Sequence, residues 1–221
     1  MDIDKLVAID VHVHAEVSCH QPEDPIMGKY FDASTTYFKA DRTRPTIPET
    51  IALYRAQNMA FVMFTVDMES ATGIKRISNE EIAQFARDNS DVMIPFASID
   101  PHKGKFGALE ARRLIEEHGV KGFKFHGIVQ DIHPADRIAW PLYEVIDHYK
   151  LPAIFHTGHS GMGTGMRHGD GHLLRHDPSL FHAHAPARIF QSSALSTRTS
   201  PRASRCRASA PATSRPSRGW R

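Results

Sequence analysis

The sequence has few cysteines and no long apolar run, and both absences limit what the chain can be. Cys19 and Cys206 are the only cysteines among 221 residues. Two cysteines are too few for a disulfide framework, which indicates a reducing compartment. No apolar stretch approaches the roughly 20 residues that a membrane span needs, and the start MDIDKLVAIDVH lacks the basic, then apolar, pattern of a signal peptide. We therefore expect a cytoplasmic protein without a membrane partner.

Acidic residues and lysine are absent from the last 36 residues. Residues 186–221 contain eight arginines, which leaves 19 of the 27 basic residues against all 25 acidic ones in residues 1–185. Residues 1–185 therefore carry a formal charge of −6, although the whole chain carries +2. A chain with this balance has no basic face of the kind that nucleic acids bind, so we expect a small-molecule substrate and no nucleic-acid partner.

Residues 179–221 form a segment rich in Ser, Arg, Ala and Pro. Apolar residues do not recur there with a period of 2 or 3.6, so the segment is expected to be disordered. An Arg/Ser-rich arm that binds RNA is one interpretation. We favour another, a shifted reading frame in a GC-rich gene, because arginine occurs without lysine and the repeats are irregular.

Residues 1–178 alternate strand and helix signals, which predicts one α/β domain. Short connections and the absence of glycine-rich phosphate turns favour an incomplete TIM-like (β/α)8 barrel, about its first five strands, over a doubly wound sheet. Between the first strand and the first helix, the aromatic residues of segment 19–45 form either a lid or a local core. The predicted strands are 6–14, 60–67, 92–100, 120–127 and 151–158, and the predicted helices are 47–59, 78–89, 107–119 and 139–150.

Histidines end two of these strands. His12 and His14 are two residues apart, so they point to the same side at the carboxyl end of the first strand, where such barrels carry out chemistry. Imidazoles are common ligands of zinc, and His156 ends the fifth strand. The period of two also places Asp10 on the same face, where it is expected to orient an imidazole. Asp67, at the exit of the second strand, is either a lining residue or part of a loop.

The motifs IDVHVH, FTVD, GVKGFKFH and LPAIFHTGHSGMGTG resemble the amidohydrolase superfamily. They are most similar to its amidohydrolase-related branch, which includes aminocarboxymuconate-semialdehyde and resorcylate decarboxylases. The resemblance covers roughly residues 5–175. It implies a distorted (β/α)8 barrel, commonly paired as a homodimer, with one divalent metal ion, usually Zn²⁺. It also implies that His12, His14 and His156 are metal ligands.

The same resemblance implies groups that we do not find. The family places a further histidine after the sixth strand and an aspartate after the eighth. His182 and His184 follow His156 too closely to leave room for a helix and a strand. The chain is therefore expected to be truncated and frameshifted near its C-terminus, without the last ligand and the acid/base, and its catalytic residues stay unknown.

Three further residues are candidates for substrate binding. Lys124 and His126 share one face of the fourth strand, and His159 follows the fifth. Three interpretations of Lys124 stay open. It could bind a substrate carboxylate, it could be carboxylated and bridge two metals as in binuclear relatives, or it could be a salt-bridged residue of the barrel wall.

Two functions remain open at this point. One is a metal-dependent hydrolase or carboxy-lyase acting on a small carboxylic or aromatic-acid-derived substrate, because a bound metal ion activates water or polarises a carbonyl. The other is a non-catalytic, metal-binding fragment of such an enzyme.

Overall fold

The computed structural model describes residues 1–39, 44–157 and 189–193. Its centre is one parallel sheet in which each strand lies beside the next strand along the chain. This order is that of a (β/α)8 barrel, and the sheet is a curled part of one, which confirms the predicted fold class. The strands are β1 (Ala8–His14), β2 (Met59–Phe64), β3 (Met93–Ala97), β4 (Gly122–His126), β5 (Ala153–Thr157) and β6 (Ile189–Ser193).

Helices connect the strands up to β5, and several begin where the sequence carries a capping residue. Thr46 and Glu49 form a reciprocal capping box at the start of α2, and the Ser78 hydroxyl accepts a hydrogen bond from the Glu81 amide at the start of α4. Gly119 has φ +73° in the turn that follows α5, a conformation that glycine adopts without strain. The helices are α1 (Pro25–Phe38), α2 (Ile47–Ala56), α3 (Glu69–Thr72), α4 (Asn79–Asp88), α5 (Gly104–Glu116) and α6 (Trp140–His148).

Helix α1 was not predicted, although its start has clear signals. The Asp24 carboxylate accepts a hydrogen bond from the Ile26 amide at 2.9 Å, and Pro25 is the first helical residue. No secondary structure was predicted for this segment, and proline in the first turn is compatible with the helix found there.

Strand β6 lies inside the segment for which disorder was expected. Its five residues pair in parallel with Ala153–Thr157, in register from the first residue to the last. The rest of that segment, with His182, His184 and Cys206, lies outside the described residues.

The two faces of the sheet have different neighbours. The outer face packs against the helices, with Phe123 and Phe155 against α5 and α6 and with Phe61 against α2 and α4. The opposite face, here called the concave face, carries a smaller apolar cluster of Val62, Phe64, Phe96 and Ile154. In the part of the chain that the structure describes, no helix is long and apolar enough to cross a membrane.

Candidate active site on the concave face

A β-bulge in β1 decides which side chains reach the concave face. Asp10 pairs with Phe61 and Val13 pairs with Met63, so three steps along β1 match two steps along β2. The extra residue breaks the period of two between Asp10 and His12. His14, which pairs with Phe64, lies on the concave face, as the contact of its ring with the Phe64 ring at 4.9 Å shows.

The position expected for Asp10 is therefore wrong. Its carboxylate accepts hydrogen bonds from the Tyr54 hydroxyl of α2 at 2.7 Å and from the His12 backbone amide at 2.9 Å. Asp10 thus faces the helical layer and holds the backbone of the bulge. It acts on His12 through the main chain and makes no hydrogen bond to an imidazole.

The rings of His12 and His14 converge. Their Nε2 atoms are 3.1 Å apart, and the ring centroids are 5.1 Å apart. His14 is exposed to solvent, whereas His12 is partly buried. Two ring nitrogens therefore point at one accessible place at the carboxyl end of β1.

Both rings favour the neutral form. Burial, followed by the nearby charge of Lys124, lowers the pKa of His12 to about 4. The pKa of His14 is also lowered, because protein atoms surround much of its ring although one side is open to solvent, and the charge of Lys124 acts in the same direction. A neutral imidazole keeps a lone pair on one nitrogen, which is the form that binds a metal ion.

Lys124 is fully buried beside this pair. Its Nζ lies 3.4 Å from His12 Nε2 and 5.0 Å from the centre of the Phe64 ring. Burial lowers the pKa of Lys124 to about 7, so the Lys124 amine is neutral in a large fraction of the molecules at neutral pH. Among the described residues, Lys124 contacts His12 and the Phe64 ring and forms no ion pair, so the alternative of a salt-bridged wall residue has no support.

His126 and His156 form a second pair of imidazoles on adjacent strands. They are direct partners in the β4–β5 register, and their rings stack with centroids 4.0 Å apart and planes 6° apart. Both are buried, at 4% and 5% exposure. Burial, followed by the charge of His156, holds the pKa of His126 well below its usual value. His156 also contributes to the lowered pKa of both His12 and His14, so the two pairs share one electrostatic environment.

The structure brings five of the six proposed site residues to the concave face. They are His12, His14, Lys124, His126 and His156. The sixth, His159, lies outside the described residues. Within residues 1–39, 44–157 and 189–193, no group of three or more His, Cys, Asp or Glu side chains is close enough to hold a metal ion together.

Asp67 is not part of this cluster. Its fully buried carboxylate pairs with Arg76 and, at 2.7 Å, with Lys103 Nζ, and it accepts the Asp100 backbone amide at 2.9 Å. Of the two interpretations left open for Asp67, the contacts favour a structural one. The ion pairs join the loops that follow β2 and β3.

Gln130 was missed by the sequence interpretation. Its Oε1 accepts the His126 amide at 2.8 Å, and its Nε2 donates to the Asp67 carbonyl at 2.8 Å. One buried amide side chain thus connects the ends of β4 and β2 and fixes the backbone that carries His126. A single glutamine in a loop has no sequence signal for this role, since the connection spans 63 residues.

Residues 9–198 match the amidohydrolase family, and the chain belongs to that family of enzymes. The match extends past residue 175, where the resemblance of the motifs ended, and it includes β6. Members of the superfamily generally bind divalent metal ions. No curated protein sequence matches the chain.

Solved structures with the same fold include a TIM-barrel protein from Bordetella bronchiseptica, with 17% identity, a TM-score of 0.53, and coverage of 72% of this chain and 59% of that one. A 2,6-dihydroxybenzoate decarboxylase from Rhizobium has 17% identity, a TM-score of 0.49, and coverage of 83% and 64%. A manganese-containing 5-carboxyvanillate decarboxylase from Novosphingobium aromaticivorans has 12% identity, a TM-score of 0.44, and coverage of 71% and 51%. The chain spans less than two thirds of each of these proteins.

Proposed function

We propose that this chain carries the metal-binding half of a metal-dependent hydrolase or carboxy-lyase that acts on a small carboxylic acid. His12, His14 and His156 would hold a divalent cation, with Zn²⁺ as the first candidate. The observation that carries the proposal is the 3.1 Å separation of the two Nε2 atoms at the end of β1. Membership of the amidohydrolase family supports it.

His12 and His14 fit such an ion in spacing and in chemistry, whereas His156 would have to move towards them to act as the third ligand, because no group of three is formed among the described residues. Zn–N bonds of about 2.0–2.1 Å in a tetrahedral site place two nitrogens about 3.3–3.4 Å apart. The observed 3.1 Å therefore requires a shift of a few tenths of an ångström for His12 and His14 to share one ion. Their lowered pKa values keep both rings unprotonated at neutral pH, so protons do not compete for the nitrogens.

When bound, the ion supplies Lewis acidity towards water or a substrate oxygen. Lys124 then binds the substrate carboxylate, because its Nζ lies next to the metal-binding nitrogen of His12. An arriving anion raises the pKa of Lys124 from about 7 and fixes it in the charged form. The stacked rings of His126 and His156 close the cluster on the β4–β5 side and exclude water there.

The first test is binding of zinc to the purified full chain, measured by titration calorimetry and by thermal unfolding with and without EDTA. At a free zinc concentration of 100 times the dissociation constant, the folded state gains about 2.7 kcal/mol. His12→Ala and His14→Ala should each remove this gain. His148→Ala, on an exposed ring at the end of α6, is the matched control and should bind zinc as the unchanged chain does. Zinc binding that survives both site substitutions contradicts the proposal.

The second test separates the enzyme from a metal-binding fragment. CO2 release from 2,6-dihydroxybenzoate measures carboxy-lyase activity, and acid release from a β-keto acid ester measures hydrolysis. Turnover of either, abolished by EDTA, supports the enzyme. Zinc binding with neither turnover supports the fragment, which is the second candidate because no three-ligand group is formed among the described residues.

A further inference from the structure

The bulge of β1 decides whether His12 reaches the site at all. In a regular strand Asp10, His12 and His14 would share one face, and Asp10 faces the helical layer. His12 nevertheless lies on the concave face, where its ring centroid is 5.3 Å from that of Phe64 and its Nε2 is 3.1 Å from His14 Nε2. The two ring nitrogens therefore converge only while the bulge between Asp10 and His12 is kept.

The His12 amide depends on a side chain for its hydrogen bond. The β1–β2 register gives no partner to Val11 or His12, and a backbone amide away from water needs an acceptor. Asp10 Oδ1 accepts the His12 amide at 2.9 Å. The carboxylate thus takes the place of a cross-strand carbonyl and fixes the main chain that carries the His12 ring.

Tyr54 of α2 fixes the other oxygen of the same carboxylate. Its hydroxyl donates to Asp10 Oδ2 at 2.7 Å, across 44 residues of sequence. Its ring packs on the Phe61 ring with centroids 4.5 Å apart, and Phe61 is fully buried and is the register partner of Asp10. The position of the Tyr54 hydroxyl is therefore set by α2 and β2, without help from the histidines.

Two hydrogen bonds specify the orientation of the Asp10 carboxylate. A carboxylate held at one oxygen can rotate about its Cβ–Cγ bond and keep that contact, whereas one held at both oxygens must break a contact to turn. The Tyr54 hydroxyl is the contact that comes from another element of the fold. It therefore connects the helical layer to the backbone of the bulge.

We propose that Tyr54 is a positioning residue for the metal site. It holds Asp10, Asp10 holds the His12 amide, and the bulge directs the His12 ring towards His14. The Tyr54 hydroxyl touches neither an ion nor a substrate and acts only through these contacts. The inference rests on the proposed function for the identity of the ligand, since the ion is the group that depends on the separation of the two ring nitrogens.

The first test is Tyr54→Phe, which keeps the ring on Phe61 and removes only the hydroxyl. The zinc affinity of the purified full chain, measured by titration calorimetry, should fall at least fivefold, because the loss of a hydrogen bond to a charged group is of that order. A smaller loss overturns the inference. Tyr143→Phe is the matched control, because the Tyr143 ring also packs on aromatic rings and its buried hydroxyl has no hydrogen-bond partner among the described residues. Its zinc affinity should stay within twofold of that of the unchanged chain.

Variants of Asp10 separate positioning from charge, and they decide the case if Tyr54→Phe does not fold. Asp10→Asn can keep both contacts, because the asparagine Oδ1 accepts the His12 amide and its Nδ2 donates to the Tyr54 hydroxyl oxygen. Asp10→Ala removes both contacts. The zinc affinity of Asp10→Asn should lie closer to that of the unchanged chain than to that of Asp10→Ala. The reverse order means that zinc responds to the charge of the carboxylate and overturns the inference.

A readout without metal keeps this inference apart from the proposed function. Hydrogen exchange of the zinc-free chain, followed by NMR, should show the His12 amide exchanging at least tenfold faster in Tyr54→Phe, with the Phe125 amide of β4 within twofold. Less acceleration at His12, or equal acceleration of both amides, overturns the inference whether or not the chain binds zinc. Faster exchange confined to His12 in a chain that does not bind zinc supports the positioning role and contradicts the proposed function.

Discussion

The contact between Gly122 and Phe96 beneath the site leads to a quantitative prediction. These residues are direct partners in the β3–β4 register, and a Cβ built on Gly122 would lie 2.3 Å from Cζ of the Phe96 ring. Real Cβ contacts are not this short, so Gly122→Ala forces the ring to move. Phe96 is 6% exposed and belongs to the apolar cluster of the concave face, which leaves its ring little room.

Gly122→Ala should therefore lower the free energy of unfolding by about 1–3 kcal/mol, the usual cost of overpacking a filled core. Phe96→Leu removes ring atoms and leaves space for the new methyl group. The double variant should be more stable than the sum of the two single effects by at least about 1 kcal/mol, because the two residues share one contact.

Urea denaturation of the three variants, followed by circular dichroism, measures these values. Gly28→Ala is the matched control, since its Cβ would meet only the flexible Glu23 carboxylate, at 3.2 Å, and it lies inside α1. That variant should gain stability, by roughly 0.5–1 kcal/mol, from the better helix propensity of alanine. If the effects of Gly122→Ala and Phe96→Leu add to within about 0.5 kcal/mol, the two side chains do not compete for space and the reasoning is refuted.

Two charged groups near the site give further predictions. Asp67→Asn should lower the free energy of unfolding, measured by urea denaturation, by about 2–4 kcal/mol, because it leaves Arg76 without one buried partner. Asp91→Asn is the control, since it disrupts an exposed ion pair and should lower the free energy of unfolding by less than about 1 kcal/mol. Equal losses in the two variants would contradict the structural role of Asp67. The Arg44 guanidinium holds the pKa of Glu23 below its usual value, so the pair stabilises the fold at and above the unfolded pKa of about 4.5 and loses that effect as the pH falls. Glu23→Gln should therefore reduce stability at pH 7 by less than about 1 kcal/mol and have a smaller effect at pH 3, and an effect that grows towards acid would be inconsistent with the pair.

Much of the candidate site could be predicted from local sequence. The ends of parallel strands meet at one edge of a sheet, so histidines that end β1 and β5 and the Lys124–His126 pair of β4 were expected there, and the structure places them on one face. The predicted helix 78–89 begins at its capping residue Ser78, because the capping contact lies within four residues.

Other features depended on contacts between distant parts of the chain. The bulge in β1 turned Asp10 to the outer face, since a single extra residue reverses every later side chain and the register is set by β2 and by Tyr54. The Gln130 connection joins segments that lie far apart in sequence.

The sequence by itself therefore determined the alternation of β1–β5 with α2, α4, α5 and α6 and the histidines near the ends of β1, β4 and β5, because periodicity, capping and strand polarity are local properties. Only the tertiary structure decided which face Asp10 takes and how Asp67 is paired. Those outcomes depend on register and packing between segments, which a local pattern does not contain.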